Sequence, residues 1–155
     1  ILGTGERKYH DLFLQLSKQY PDSFAVKILY DNRLAHLVEA GADMFLMPSQ
    51  YEPCGLNQLY SLKYGSVPIV RGVGGLEDTI VDYTGSPDTG TGFKFYDYTE
   101  KALLDGIARA LKAHKNQKVW QAIIKRCMNQ DFSWEKSAQE YVNLYEKAIV
   151  KHESV

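Results

Sequence analysis

The run Ser49-Gln50-Tyr51-Glu52-Pro53-Cys54-Gly55-Leu56-Asn57 holds the residue types most able to do chemistry. It sets a lone carboxylate, Glu52, at the end of an expected strand and a glycine, Gly55, where a helix is expected to begin. Free backbone N–H groups of Gly55, Leu56 and Asn57 at a helix N-terminus suit a phosphate, and Glu52 just ahead could accept hydrogen bonds from sugar hydroxyls. The same residues also read as a plain turn, with Glu52 and Pro53 shaping it and Gly55 starting the helix. Cys54 is placed where a nucleophile could stand, but the sequence sets no histidine base beside it, and packing or simple contact is the plainer use of a lone thiol. Tyr30, at another expected strand end, could offer its ring face to a base or could pack on a neighbouring helix.

Other motifs argue mainly by what they lack. Gly72-Val73-Gly74-Gly75 could let backbone approach a ligand, although glycine clusters are commonly tight turns. Gly3-Thr4-Gly5 lacks the third glycine of a dinucleotide fingerprint, and Thr89-Gly90-Thr91-Gly92 lacks the lysine of a phosphate-binding P-loop. Both read as turns. His10, His36 and His114 fall within expected helices and His152 in the tail, with no paired metal spacing, so no metal and no cofactor is called for.

The elements that must position these residues follow from apolar spacing. Tyr9, Leu12, Phe13, Leu16 and Tyr20 recur at helical intervals until Pro21-Asp22, and residues 24–29 form a strand. A helix over 33–40 ends at Gly41 as its cap, and residues 43–47 make the next strand. The helix over 55–64 presents Leu56, Leu59, Tyr60 and Tyr64 on one face and is closed by Gly65. A strand at 67–70, a short helix at 76–81, a polar loop at 83–91 and a strand at 92–95 complete the alternation. That alternation predicts a Rossmann-like α/β fold, a parallel sheet with helices on both faces. A helical tail follows at 99–114, 116–129 and 133–151. Its second helix is striped by Trp120, Ile123, Ile124 and Cys127, and its third by Trp134, Ala138, Tyr141 and Tyr145. In such sheets ligands bind outside the carboxyl ends of the strands, where the loops carrying Tyr30, Glu52 and Gly72 to Gly75 are expected.

Composition narrows the classes. The 155 residues are 45% hydrophobic, which predicts one compact domain and not a disordered chain. Lys+Arg 18 against Asp+Glu 19 gives a formal charge of -1, with no broad cationic field for nucleic acid or an anionic membrane. Cys54 and Cys127 form no CxxC, which fits a reducing cytoplasm. No apolar run approaches the roughly 18 residues of a membrane span. Ile1-Leu2-Gly3-Thr4-Gly5 reads as a strand end running into a turn, as expected for a piece of something longer.

Three stretches then become recognisable: Ala42 to Ser49, Tyr51 to Tyr60, and Tyr64 to Arg71 followed by Gly74-Gly75-Leu76. In order and spacing they closely resemble bacterial glycogen synthase and plant starch synthase, as do Gly90-Thr91-Gly92-Phe93, Phe132-Ser133-Trp134, Tyr141 and Leu144-Tyr145. The Glu-Pro-Cys-Gly-Leu run is the most specific part. The resemblance implies the C-terminal, donor-nucleotide-binding domain of a two-domain GT-B glycosyltransferase. Such an enzyme moves glucose from ADP-glucose to the non-reducing end of an α-1,4-glucan with retention of configuration and without a required metal. By the same resemblance Glu52 contacts the donor glucose hydroxyls as the catalytic-site carboxylate, orienting the sugar and not attacking it. Cys54 lies near the sugar, the amides of Gly55 and Leu56 hold the distal phosphate, Asn57 lies near the phosphates and ribose, and Tyr30 stacks on adenine.

Related transferases often carry a second Glu eight positions after the first. Tyr60 occupies that place here, which fits the bacterial and plant synthase branch and disfavours sucrose synthase. The family's Lys-x-Gly-Gly motif of the N-terminal domain, and its diphosphate-neutralising Arg and Lys of the segment that opens the C-terminal domain, have no counterpart in the chain, so an N-terminal domain of the same polypeptide is the expected partner and the piece alone is expected to be inactive. A non-catalytic nucleotide-sugar or glucan binding module is the alternative. The cytoplasm, or the plastid for a plant source, is the expected location.

Overall fold

Strand and helix alternate from Leu2 to Phe95, and every strand pairing is parallel. The structure, a computed structural model, describes residues 1–153. The chain divides into two compact units, Ile1–Gly41 and Ala42–Val155.

In the first unit β1 (Leu2–Gly3) pairs with β2 (Lys27–Ile28), and α1 (Arg7–Gln19) connects them. The expected strand over 24–29 shrinks to two residues because its partner offers only two. Phe13 of α1 packs on Phe24 at 6.3 Å between ring centroids. The Asp31 carboxylate accepts the Leu34 amide at 2.9 Å and so caps α2 (Asn32–Gly41). Gly41 is itself the last helical residue and not a cap beyond the end.

In the second unit β3 (Met44–Met47), β4 (Val67–Arg71) and β5 (Phe93–Phe95) form a sheet in the order β3-β4-β5. Four consecutive residues of the central strand, Val67 to Val70, are buried, which requires cover on both faces since neighbours point to opposite sides. The cover comes from α3 (Asn57–Tyr64), α4 (Gly75–Thr79), α5 (Glu100–His114) and α6 (Gln117–Met128). Ile69 and Phe93 are register partners on one face. There Gly106 of α5 lies against Ile69 and Phe95, and Trp120 of α6 stacks on Phe93 at 6.5 Å. Val70 and Lys94 share the other face, where the Lys94 ammonium meets the Glu77 carboxylate of α4 at 2.9 Å. The α6 stripe is sunk as its spacing predicts: Trp120, Ile123 and Cys127 are buried.

Pro68 sits in the middle strand, where a missing N–H ordinarily breaks a ladder. Gly72 donates to the Phe95 carbonyl, so alternate amides of this strand face β5, and the proline's place in the series is opposite Thr91. The Cys127 thiol donates to that Thr91 carbonyl at 2.9 Å, supplying the bond that Pro68 cannot. Burial pushes the thiol up to about 12, which keeps its proton in place.

The last helix, α7 (Trp134–Glu153), differs from the other two of the tail. Its stripe is exposed, with Trp134 at 85% and Tyr145 at 61%. Among the described residues no helix is long and apolar enough to cross a membrane.

Candidate functional site

The loop after β3 carries Glu52, Cys54, Gly55, Leu56 and Asn57 together at the carboxyl end of the second unit's sheet, beside the loop after β4. Two anchors hold it there. The Arg71 guanidinium, at the end of β4, donates from Nη1 to the Gln50 carbonyl at 2.7 Å and from Nε to the Tyr96 carbonyl at 2.8 Å, while lying 5.3 Å over the Tyr98 ring. The Gly75 amide donates to the Glu52 carbonyl at 3.0 Å.

The second glycine run is explained by this contact. A Cβ on Gly74 would run into the Glu52 carbonyl oxygen, and one on Gly75 into that of Cys54. The backbone that Gly74 and Gly75 let approach is therefore the Glu52 to Cys54 loop of the chain itself.

Helix α3 (Asn57–Tyr64) starts two residues later than expected, leaving Gly55 and Leu56 ahead of it. Gly55 has φ +74, a left-handed conformation that a side chain disfavours, and Leu56 follows in the right-handed region. Successive residues of opposite hand turn their N–H groups into a shallow concavity suited to an anion. Asn57 and its neighbours in the first helical turn add amides that have no partner within the helix.

The face that α3 turns inward is not the expected one. Gln58, Ser61 and Leu62 are buried, whereas Leu56, Tyr60 and Tyr64 are exposed and only Leu59 packs partly on the core. The residues at 58, 61, 62 and 65 keep a helical spacing that could have signalled this, but Gln58 and Ser61 are polar and do not stand out in an apolar pattern. Gly65, at φ 79, ends the helix as its spacing predicts. Gln58 is the site residue that sequence reasoning passes over. Its Nε2 donates to the carbonyls of Cys54 at 2.9 Å and Gly55 at 3.1 Å, with Thr79 Oγ1 at 3.4 Å.

The Glu52 side chain is half-buried and forms no ion pair with any described residue, so its carboxylate is open to a ligand's donors. Cys54 is exposed and forms no disulfide among the described residues. Tyr30 belongs to the first unit, where it follows β2 and stands 87% exposed. Among the described residues no group of three or more His, Cys, Asp or Glu is gathered as metal ligands would be.

Comparison with known proteins shows the family. The sequence is 55% identical over 148 residues to a glycogen synthase of Koribacter versatilis, 96% of this chain and 31% of that protein. It is 52% identical over 145 residues to a glycogen synthase of Anaeromyxobacter sp. (strain Fw109-5), covering 94% and 30%. The chain thus spans under a third of the length of these curated relatives. Among solved structures, the catalytic domain of starch synthase IV from Arabidopsis thaliana bound to ADP and acarbose superposes with a TM-score of 0.80 at 30% identity, over 96% of this chain and 31% of that one. A sucrose-phosphate synthase from Thermosynechococcus elongatus shares the fold, with a TM-score of 0.62 at 22% identity over 97% and 38%. The signature of glycosyl transferases group 1 runs through residues 3–126, across both units, and the chain belongs to that family.

Proposed function

We propose that the chain is the donor-nucleotide-binding part of the C-terminal domain of a retaining glucosyltransferase. In this reading the enzyme moves glucose from ADP-glucose to the non-reducing end of an α-1,4-glucan, in glycogen or starch synthesis. The observation that carries the reading is the loop at Glu52 to Asn57, where a carboxylate with no ion pair among the described residues stands beside two backbone amides shaped for an anion, in a chain whose relatives are glycogen synthases. Glu52 orients the donor glucose through its hydroxyls. Cys54 lines the sugar, the amides of Gly55 and Leu56 hold the distal phosphate, Asn57 reaches the phosphates and ribose, and Tyr30 stacks on adenine. The reaction takes place in the cytoplasm, or the plastid for a plant protein.

Breaking the bond from glucose to phosphate loads negative charge onto the leaving diphosphate, and fixed donors and cations aimed at that charge do most to lower the barrier. This chain supplies the amides. The glucan groove and the diphosphate-neutralising cations, in the N-terminal domain and in the segment that opens the C-terminal domain, lie outside this chain, so the isolated chain is expected to incorporate no measurable glucose.

In the full-length enzyme Glu52→Ala is expected to lower kcat by roughly 30- to 1,000-fold, the worth of one strong transition-state hydrogen bond. It should barely alter inhibition by ADP. Tyr30→Ala should do the reverse, weakening ADP by about 1–3 kcal/mol, the value of one stacking face, with kcat nearly intact. Steady-state transfer of radiolabelled glucose to glycogen, with ADP inhibition constants, separates the roles. An unchanged kcat in Glu52→Ala would remove the sugar-orienting role, and transfer from UDP-glucose alone would overturn the donor assignment.

A further inference from the structure

Gln58 is fully buried one turn below the proposed phosphate site, and its two polar ends fare differently. Its Nε2 serves the carbonyls of Cys54 and Gly55, whereas its Oε1 is buried without a hydrogen-bond partner. The lone acceptor costs stability, and the donor end offsets that cost by pairing two carbonyls that an apolar residue of similar length would leave without a donor. What a glutamine adds beyond this is the direction in which it fixes those two carbonyls.

Peptide planarity shows what the donor end achieves. In a trans peptide the C=O and the following N–H point in opposite directions. The Cys54 carbonyl shares its plane with the Gly55 amide, and the Gly55 carbonyl shares its plane with the Leu56 amide. Drawing both carbonyls inward onto one buried nitrogen turns both amides outward. The absence of a side chain on Gly55 is part of the arrangement, because a Cβ there would collide with the Gln58 amide. Thr79 Oγ1 accepts from the same nitrogen at 3.4 Å and is itself held by donating to the Gly75 carbonyl at 2.5 Å.

We propose that Gln58 is a positioning residue that aims the Gly55 and Leu56 amides at the distal phosphate of the donor nucleotide, and so sets the preference for a diphosphate over a monophosphate. The assignment rests on the phosphate-binding reading given above.

The test compares inhibition of the full-length enzyme by ADP and by AMP. Gln58→Met keeps the side chain's length and removes the donor. It is expected to reduce the ADP-over-AMP preference by about 10- to 100-fold, the value of hydrogen bonds to a charged group, with AMP inhibition little changed. A loss shared equally by ADP and AMP would mark a merely structural role, and an unchanged preference in the folded variant would overturn the proposal. Should the Met variant fail to fold, Gln58→Glu keeps the shape. Its carboxylate repels the two carbonyls, and protonation restores one donor, so the preference relative to wild type should recover as pH falls. A preference equal to wild type at every pH would overturn the proposal. A wild-type enzyme that binds ADP no better than AMP would remove the phosphate reading itself.

Discussion

Two glycine-bearing loops of the second unit are built from similar parts and turned to opposite ends. The loop 49–57 and the loop 82–92 are each anchored by arginine: Arg71 on the Gln50 carbonyl, and Arg109 and Arg126 on Thr84 Oγ1 and the Gly90 carbonyl at 2.6 and 2.8 Å. Each is also closely approached at a glycine. A Cβ on Gly75, which starts α4, would strike the Cys54 backbone of the first loop, and one on Gly90 of the second loop would strike Tyr83. The difference lies in the amides. In the loop 82–92 they are used within the protein: Tyr83 donates to the Gly92 carbonyl, Thr91 to the Val81 carbonyl and Val81 to Thr91 Oγ1. In the loop 49–57 the carbonyls are tied down by Gln58, which leaves the Gly55 and Leu56 amides turned outward. A glycine cluster is thus no mark of a site; the direction in which its peptide planes are fixed is.

The largest test of that contrast pairs Gly75→Ala with Gly90→Ala in the full-length enzyme. Either methyl should cost about 1–3 kcal/mol of stability by overpacking, measured by thermal unfolding. Only Gly75→Ala displaces the Cys54 carbonyl, and a shift of about 1 Å at a reacting site can cost on the order of 100-fold in rate. Equal losses of activity in the two variants would break the distinction.

A smaller effect sharpens it from the other side. Cys127→Val leaves the Thr91 carbonyl buried and unpaired, at a cost of about 1–3 kcal/mol, whereas Cys127→Ser keeps a donor. Because burial raises the thiol from its ordinary value to about 12, the folded state holds this proton more tightly than the unfolded one. The stability that this adds is complete below about pH 9 and is lost as pH rises toward 12. Denaturant unfolding of wild type and the Ser variant across that window should show the excess slope in wild type alone.

The smallest effect is kinetic. A thiol reagent near neutral pH should modify the exposed Cys54 and spare Cys127 until the chain unfolds, with ADP-glucose slowing the reaction at Cys54. Mass spectrometry of the labelled peptides reads this directly, and labelling of Cys54 at a rate that ADP-glucose leaves unchanged would contradict the assignment of the two loops.

Much of this arrangement is legible in the residues. The short apolar runs at 44–47 and 67–71 give the strands, Gly65 gives the end of α3, and the Glu52 to Asn57 motif gives the candidate site. What escapes the sequence is non-local or polar. Gln58 turns inward because carbonyls three and four residues before it need a donor, which no apolar period records. Gly74 and Gly75 are shaped by residues about twenty positions earlier, across the whole of α3 and β4. The role of Cys127 depends on a proline in a different element. The α7 stripe is plain in the sequence, yet among the described residues it stays exposed.

The hydrogen bond from Gly75 to Glu52 also ties ligand recognition to how the strands are zipped together. Gly75 follows β4 and Glu52 follows β3, so the two meet only when Met44 is opposite Val67 and Met47 opposite Val70. Sliding one strand by a single residue moves the loops apart by about 3.3 Å, nearly the length of the bond that joins them, and turns every side chain of the strand to the other face. A mispaired chain would therefore also be a chain without an anion cradle. On the proposed reading, nucleotide sugar, by binding only the correctly paired form, would draw the population toward it and act as a selector of folded molecules as well as a reactant.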